Sequence, residues 1–203
     1  MSEAPSGAPF EQPASFAFTP ENRAKADAYI AKYPAGRQAS AVLSLLYLAQ
    51  DQHDNWIPRA AMDHVAEILS MPPIRVYEVA SFYTMFNLRP VGQYFLQVCT
   101  TTPCWLRGSD AVMDACKKKL GVGVGGTTAD KKFTLLEVEC LGACVNAPVI
   151  QVNNADFYED LDGASTEKLI DALARGEKPP KGSVIGRQNA APIGGPKTLT
   201  ELK

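Results

Sequence analysis

Val98-Cys-Thr-Thr-Thr-Pro-Cys-Trp105 and, further along, Glu139-Cys-Leu-Gly-Ala-Cys-Val-Asn-Ala-Pro148 hold four of the five cysteines of this 203-residue chain. Two close pairs, Cys99/Cys104 and Cys140/Cys144, with a long insertion between them point to one four-sulfur site assembled by folding. Thiolates at that density bind soft metals, either zinc or the iron of an Fe–S cluster. The residues just before each pair read as strands. Tyr94, Leu96 and Val98 alternate with Gln93, Phe95 and Gln97, and Phe133 to Val138 is a second apolar, β-branched run. If the two strands are neighbours, both pairs lie at the same end of one sheet.

The pattern around these strands predicts a small α/β layer structure. A helix is expected over Ser109–Leu120, with Ala111, Val112, Ala115 and Leu120 inward and Gly121 as its stop. A third strand is expected over Val149–Val152 and a fourth over Asp156–Tyr158, after an Asn-Asn turn. Ser165 or Thr166 is the expected cap of a last helix through Leu169, Ile170 and Leu173, closed by Gly176. The order is β-α-β-β-β-α, with a possible extra helix within 121–132, and the domain is placed at residues 91–178. Residues 179–203, after Lys178-Pro-Pro180, are rich in Pro and Gly and show no period. They are expected to be disordered or laid across a partner.

Upstream, residues 18–90 read as a small helical bundle, which makes the fold class α+β. Thr19 suits an N-cap, Pro20 the first helical position and Glu21 the positive end of the dipole of a helix reaching Tyr33. Ala39–Gln50 is apolar around most of its circumference and is expected to be central. A third helix starts near Pro58 with Ala61, Val65, Ile68 and Leu69 at helical spacing. A fourth follows Met71-Pro-Pro73, with Val76, Val79, Ala80 and Tyr83 on one face. Short Pro-containing turns between four helices are bundle connections. Residues 1–17, rich in Pro, Ala, Gly and Ser, read as a mobile arm.

Composition narrows the function. Hydrophobic residues make up 46% of the chain, enough for a sizeable core, and the formal net charge of −2 argues against nucleic acid or an anionic membrane surface as partner. No apolar run is long enough to insert in a bilayer. The N-terminus has neither a basic n-region with an apolar h-region nor an Arg-rich amphipathic stretch, so the expectation is a reducing compartment or a processed form. An odd number of cysteines and no secretory signal make disulfides a poor reading. A dithiol redox pair needs C-x-x-C, which neither pair has. A structural four-cysteine zinc site tolerates the observed gaps. A [2Fe–2S] cluster on four cysteines fits best, although the spacings match neither ferredoxin run and leave the cluster type open. The neighbours favour a cluster over a bare ion. Thr100, Thr101 and Thr102 bring hydroxyls and N–H groups toward sulfur, and Gly142 and Ala143 let the backbone approach.

With these flanks, V-C-T-T-T-P-C-W-L-R-G-S and E-V-E-C-L-G-A-C-V-N-A-P, the chain resembles the 24 kDa [2Fe–2S] subunit family of respiratory NADH:quinone oxidoreductase (complex I). The likeness extends through R-V-Y-E-V-A-S-F-Y-T-M-F, Arg75 to Phe86, and T-P-E-N at Thr19 to Asn22. The resemblance implies a thioredoxin-like C-terminal domain with one [2Fe–2S] cluster, its ligands carried over as Cys99, Cys104, Cys140 and Cys144. It implies an electron-transfer subunit of a NADH dehydrogenase, with no bond-making residue of its own. FMN and NADH are then held by a partner subunit, further Fe–S subunits are neighbours, and the chain lies in the peripheral arm of a membrane complex, on the cytoplasmic face of a bacterial inner membrane or the matrix side of a mitochondrial one. The same module in an NAD-linked hydrogenase or formate dehydrogenase is the alternative, and a stand-alone four-cysteine zinc module is another.

Other features have plainer readings. Cys116 lies mid-helix without a Cys neighbour and reads as a buried free thiol. His53 and His64 read as turn or surface residues. Gly121-Val-Gly-Val-Gly-Gly126 follows a helix, where a dinucleotide loop must follow a strand, and reads as a helix stop and loop. Lys117–Lys119 and Lys131-Lys132 read as solvated faces. Tyr77, Phe82, Tyr83, Met85 and Phe86 read as bundle core, with part of the set a docking patch as the sharper alternative. Ala147-Pro148, leading into a strand, is expected to be cis.

Overall fold

The computed structural model describes residues 10–195 and 198, and these divide into two compact units, one ending at Val91 and one beginning at Gly92. Residues 1–9 of the expected arm lie outside the described residues. From Phe10 to Ala17 the chain has no regular structure, yet it is laid on the helices. Phe10 meets Trp56 edge to face with centroids 5.5 Å apart, the Gln12 side chain accepts from the Arg59 N–H (3.0 Å), and Phe16 packs on the helical core. Aromatic anchors thus dock this Pro-rich stretch where composition alone suggested mobility.

In the first unit, α1 (Pro20–Ile30) opens with Thr19 Oγ1 accepting from the Asn22 N–H at 3.2 Å. It stops short of the expected Tyr33, which precedes Pro34 and is disfavoured in helical geometry for that reason. A single turn of 3₁₀ helix, Gln38–Ala41, leads into α2 (Val42–Gln52), followed by α3 (Arg59–Leu69) and α4 (Pro73–Phe82). Helix α2 contacts all three others, α3 contacts α4, and Leu45, Leu46, Val65, Leu69 and Val76 are fully buried between them. Ala61, Val65 and Leu69 stack one helical turn apart, so α3 is strongly one-sided. The buried amide of Gln50 satisfies two groups of the segment after α4. Its Nε2 donates to the Met85 carbonyl (3.1 Å) and its Oε1 accepts from the Asn87 N–H (2.7 Å).

The second unit is a mixed five-stranded sheet in the order β2-β1-β3-β4-β5: β1 (Tyr94–Cys99), β2 (Phe133–Val138), β3 (Ile150–Val152), β4 (Asp156–Glu159) and β5 (Gly182–Ser183). Strand β1 is parallel to β2, with Cys99 opposite Val138, and antiparallel to β3. Strands β4 and β5 are parallel. Being central, β1 is buried on both faces, and its polar Gln97 is matched by both side chain and backbone of Asn154 (2.7 and 3.1 Å). The crossover from β1 to β2 carries α5 (Thr102–Leu106) and α6 (Ser109–Leu120). Helix α6 packs on α7 (Gly163–Ala174).

Three local expectations change. Residues 121–132 hold no helix; Gly125 and Gly126 exchange backbone hydrogen bonds with Leu135, and Thr127 bridges Thr134, so the Gly-rich loop pairs with the edge strand β2. Helix α7 is capped by Asp162, in a reciprocal capping box with Ser165, and begins before both expected caps. The tail from 179 onward is laid on its own unit as far as it is described: β5 adds to β4, and Arg187 pairs with Asp160. Gly92 lies so close to Phe133 that a Cβ there would stand 2.7 Å from backbone carbon, which brings the chain tightly into β1.

Candidate metal centre

Cys99 ends β1, Cys104 sits within α5, Cys140 follows β2, and Cys144 opens a single 3₁₀ turn, Cys144–Asn146. Because β1 and β2 are parallel neighbours, both loops emerge at the same sheet end, and α5 packs on the Cys144–Asn146 turn. The four thiols thereby converge in two pairs. Cys140 and Cys144 have their sulfurs 3.2 Å apart, while the Cys104 thiol lies close enough to Cys99 and Cys144 to be raised by both. Cys99 and Cys104 are buried, together with Ala147 and Val149, against Leu141, Ala143 and Phe157, whereas Cys140 is exposed. All five cysteines are free thiols.

The surroundings suit sulfur ligands. Thr101 Oγ1 is 3.2 Å from Cys99 Sγ, and the Gly142 N–H donates to Cys140 Sγ at 3.4 Å, with Gly142 in the left-handed region at φ 83°. Burial, then the hydrogen bond and charge of Cys99, push the Cys104 thiol up to about 12. Hydrogen bonds from Cys144 and Gly142 lower Cys140, and the same contact with Cys140 raises Cys144. A metal bound by thiolates displaces the thiol protons, so binding here would release protons. Among the described residues, no three His, Cys, Asp or Glu are placed to hold one metal ion. Four thiols in two close pairs are a donor set that both iron–sulfur clusters and a tetrahedral zinc accept.

The remaining candidates lie elsewhere. Cys116 is wholly buried on α6, and burial pushes its thiol up to about 12. His53 lies in the turn after α2 and His64 on α3, as read, but both are half-buried in an aromatic cluster with Phe16, Phe18 and Trp56 and not at the surface. The α4 aromatic set divides: Phe86 is core and Met85 packs on it, while Phe82 is 76% exposed. Lys119 pairs with Asp171 at 2.8 Å. The Ala147–Pro148 peptide is cis. Asn146, Asp160 and Arg187, which tie the tail to the Cys144 turn, had no signal in the sequence, since no motif or period links them.

The profile of the thioredoxin-like [2Fe–2S] ferredoxin family matches residues 26–174. Fold and thiols together thus define a thioredoxin-like protein whose cofactor is one [2Fe–2S] cluster. The chain is 58% identical over 159 residues, 78% of its length and 95% of the relative, to the E-subunit of the NADH-quinone oxidoreductase of Rickettsia conorii. It is 53% identical over 187 residues, 92% of its length and 75% of the relative, to the mitochondrial NADH dehydrogenase (ubiquinone) flavoprotein 2 of Dictyostelium discoideum. The chain belongs to this E-type family of NADH-quinone oxidoreductase subunits, as the cysteine motifs and their flanks implied. The structure of an NAD+-reducing [NiFe]-hydrogenase matches with a TM-score of 0.59 at 22% identity, covering 68% of this chain and 23% of that one, which is a likeness of fold.

Proposed function

We propose that this chain is the electron-transfer member of an NADH:quinone oxidoreductase, with Cys99, Cys104, Cys140 and Cys144 as the cluster ligands, two to each iron, and with no bond-making chemistry of its own. The observation that carries the reading is the convergence of these four thiols at one end of the parallel β1–β2 pair. When bound, the cluster takes up and gives back one electron at a time. The protein supplies the rest. The four cysteines hold the group, Thr101 and the Gly142 N–H direct hydrogen bonds at sulfur, and Val149, Leu141, Ala143 and Phe157 pack around the buried pair.

The partner that exchanges electrons with this site is the FMN- and NADH-binding subunit, with Fe–S subunits nearby. Cys140 is exposed, and Trp105, Leu106 and Val145, beside Cys104 and Cys144, are 57%, 71% and 66% exposed, an apolar rim of the kind that protein contacts cover. The chain then sits in the peripheral arm, on the cytoplasmic face of a bacterial inner membrane or the matrix side of a mitochondrial one. No helix among the described residues is long and apolar enough to cross a membrane.

The test is anaerobic purification followed by visible absorbance, iron and sulfide assay, and EPR after dithionite. The reading requires a red-brown protein with equal iron and sulfide and a rhombic one-electron signal. A colourless protein that holds zinc, and that also fails iron–sulfide reconstitution, would replace it with a structural zinc module.

A further inference from the structure

Outside the thiol cluster, a densely connected polar contact among the described residues of the second unit lies in the tail. Asp160 and Arg187 are an ion pair with side chains only 2% and 8% exposed. Arg187 Nε donates to Asp160 Oδ2 at 2.9 Å, its Nη2 donates to Asp160 Oδ1, and Ser183 Oγ donates to Oδ2 at 2.7 Å. A buried charge pair is an expensive way to stabilise a fold, since apolar residues of the same volume do as well or better. Its presence calls for a geometric role.

The remaining contacts supply one. The same Arg187 Nη2 donates to the carbonyl of Val145 at 3.2 Å, and Nη1 donates to the Ala191 carbonyl at 3.3 Å. Val145 is the residue after Cys144. One residue further, the Asn146 carbonyl accepts from the Asp160 N–H at 2.7 Å, and Asn146 Nδ2 donates to Glu159 Oε2 (2.5 Å) and to the Asn189 carbonyl (2.8 Å). The tail is itself pinned to the sheet, with Gly182 opposite Tyr158 and the Val184 N–H on the Glu159 carbonyl (3.0 Å). The turn that presents Cys144 is therefore gripped on its outer side by a strap, Gly182–Ala191, and the Arg187 side chain spans strap, sheet end and turn. A planar guanidinium can hold a carboxylate and a carbonyl together in one fixed fork, which an ammonium cannot.

We propose that Arg187 is a positioning residue for the cluster: through its fork to Asp160 and the Val145 carbonyl, the tail locks the Cys144–Asn146 turn in the geometry that keeps Cys144 on iron. This rests on the reading of Cys144 as a ligand. Without the fork the turn is free to swing its thiolate away, and iron is lost faster and from a less uniform site.

The experiment uses the full-length, cluster-loaded chain with Arg187→Gln and Arg187→Lys. Three readouts are taken: the EPR g-values and linewidths after dithionite, the rate of iron loss to a chelator followed by bleaching, and the far-UV thermal midpoint. Both variants are expected to show a broadened or shifted signal and roughly tenfold faster iron loss, the worth of one charge-assisted hydrogen bond. Arg187→Lys keeps charge and stem, so it probes the fork in a chain that still has an ion partner for Asp160. Wild-type spectra and iron-loss rates in both variants would overturn the proposal. So would full rescue by Lys, which would make the effect one of charge, or iron loss that rises only in step with a falling thermal midpoint and leaves the EPR signal unchanged. If the wild-type chain itself gives no cluster signal, the functional reading fails first and the proposal falls with it.

Discussion

Thr101 Oγ1 stands 3.2 Å from the sulfur of Cys99, the residue that ends β1. A hydrogen bond to a ligand sulfur strengthens as negative charge accumulates there, so it favours the reduced state. Thr101→Val keeps the branched shape and removes the hydroxyl. If the bond differs by about 1 kcal/mol between redox states, the one-electron potential falls by ~40 mV, since a tenfold change in equilibrium corresponds to about 59 mV. A redox titration followed by EPR measures this. An unchanged or raised potential would show that the hydroxyl is directed elsewhere in the loaded protein.

The four cysteines of the cluster and the fifth should part company under mutation. Replacing Cys99, Cys104, Cys140 or Cys144 by Ala is expected to abolish the dithionite signal or convert the cluster. Cys116→Ala should leave spin and iron content at wild-type levels, at a stability cost of about 1 kcal/mol for the lost buried volume. Cys116 is fully buried within the core between α6 and the sheet, and its thiol, pushed up to about 12, is almost entirely un-ionised at neutral pH. It should accordingly resist iodoacetamide until the chain is unfolded. Cluster loss in Cys116→Ala alone would mean that the ligand set is assigned wrongly.

How much of this was legible in the sequence depends on whether side chains or backbone made the feature. Strands β1 and β2 showed in alternation and apolar runs, and the meeting of the two cysteine pairs followed from placing both loops at the ends of neighbouring strands. The end of α6 showed because Gly121 takes φ 66°, which side chains seldom adopt. By contrast, β5 is two residues, Gly182 and Ser183, held by backbone pairing to β4, and such a strand has no period to read. The Gly-rich stretch after α6 covers a sheet edge by main-chain bonds for the same reason. Asp162, Ser165 and Thr166 are all good caps in sequence, and only the fold selects the first. The Asp160–Arg187 strap joins residues that no local rule connects.

Within the helical unit, Gln50 is the polar residue whose removal should cost most. It is 2% exposed and satisfies the Met85 carbonyl and the Asn87 N–H together. The Asn87 carbonyl in turn accepts from the Ile57 N–H at 2.8 Å, so the amide anchors the crossing of three segments. Gln50→Ala removes the hydrogen bonds to the Met85 carbonyl and from the Asn87 N–H and opens a small void. The expected loss is about 1–3 kcal/mol, from two lost hydrogen bonds at roughly 0.5–1.5 kcal/mol each. Urea unfolding followed by Trp56 fluorescence reads this loss, as Trp56 lies in the same unit. A loss under about 0.5 kcal/mol, the range of an ordinary surface change, would show that water replaces the amide without penalty.

The strap also fixes the direction of a pH effect. Burial on its own would raise the Asp160 carboxyl. Hydrogen bonds from Arg187 and Ser183, with the charges of Arg187 and Arg107, outweigh it and hold the group below the usual carboxylate range. A carboxyl whose folded value is depressed stabilises the fold fully above its unfolded value, about 3.9, and that contribution is lost as pH falls through the folded value. The stability difference between the wild-type chain and Asp160→Asn should therefore be flat from about pH 8 to about pH 5 and narrow on further acidification. At neutral pH the wild-type chain should be the more stable of the two, because the variant leaves the Arg187 guanidinium without its counter-charge. Iron content is followed in both chains at each pH, so that a difference in iron loss, which the strap itself is expected to govern, is told apart from the titration of Asp160. A difference that widened below about pH 5 would mean that Asp160 is raised in the folded protein, and that the guanidinium is not its dominant neighbour.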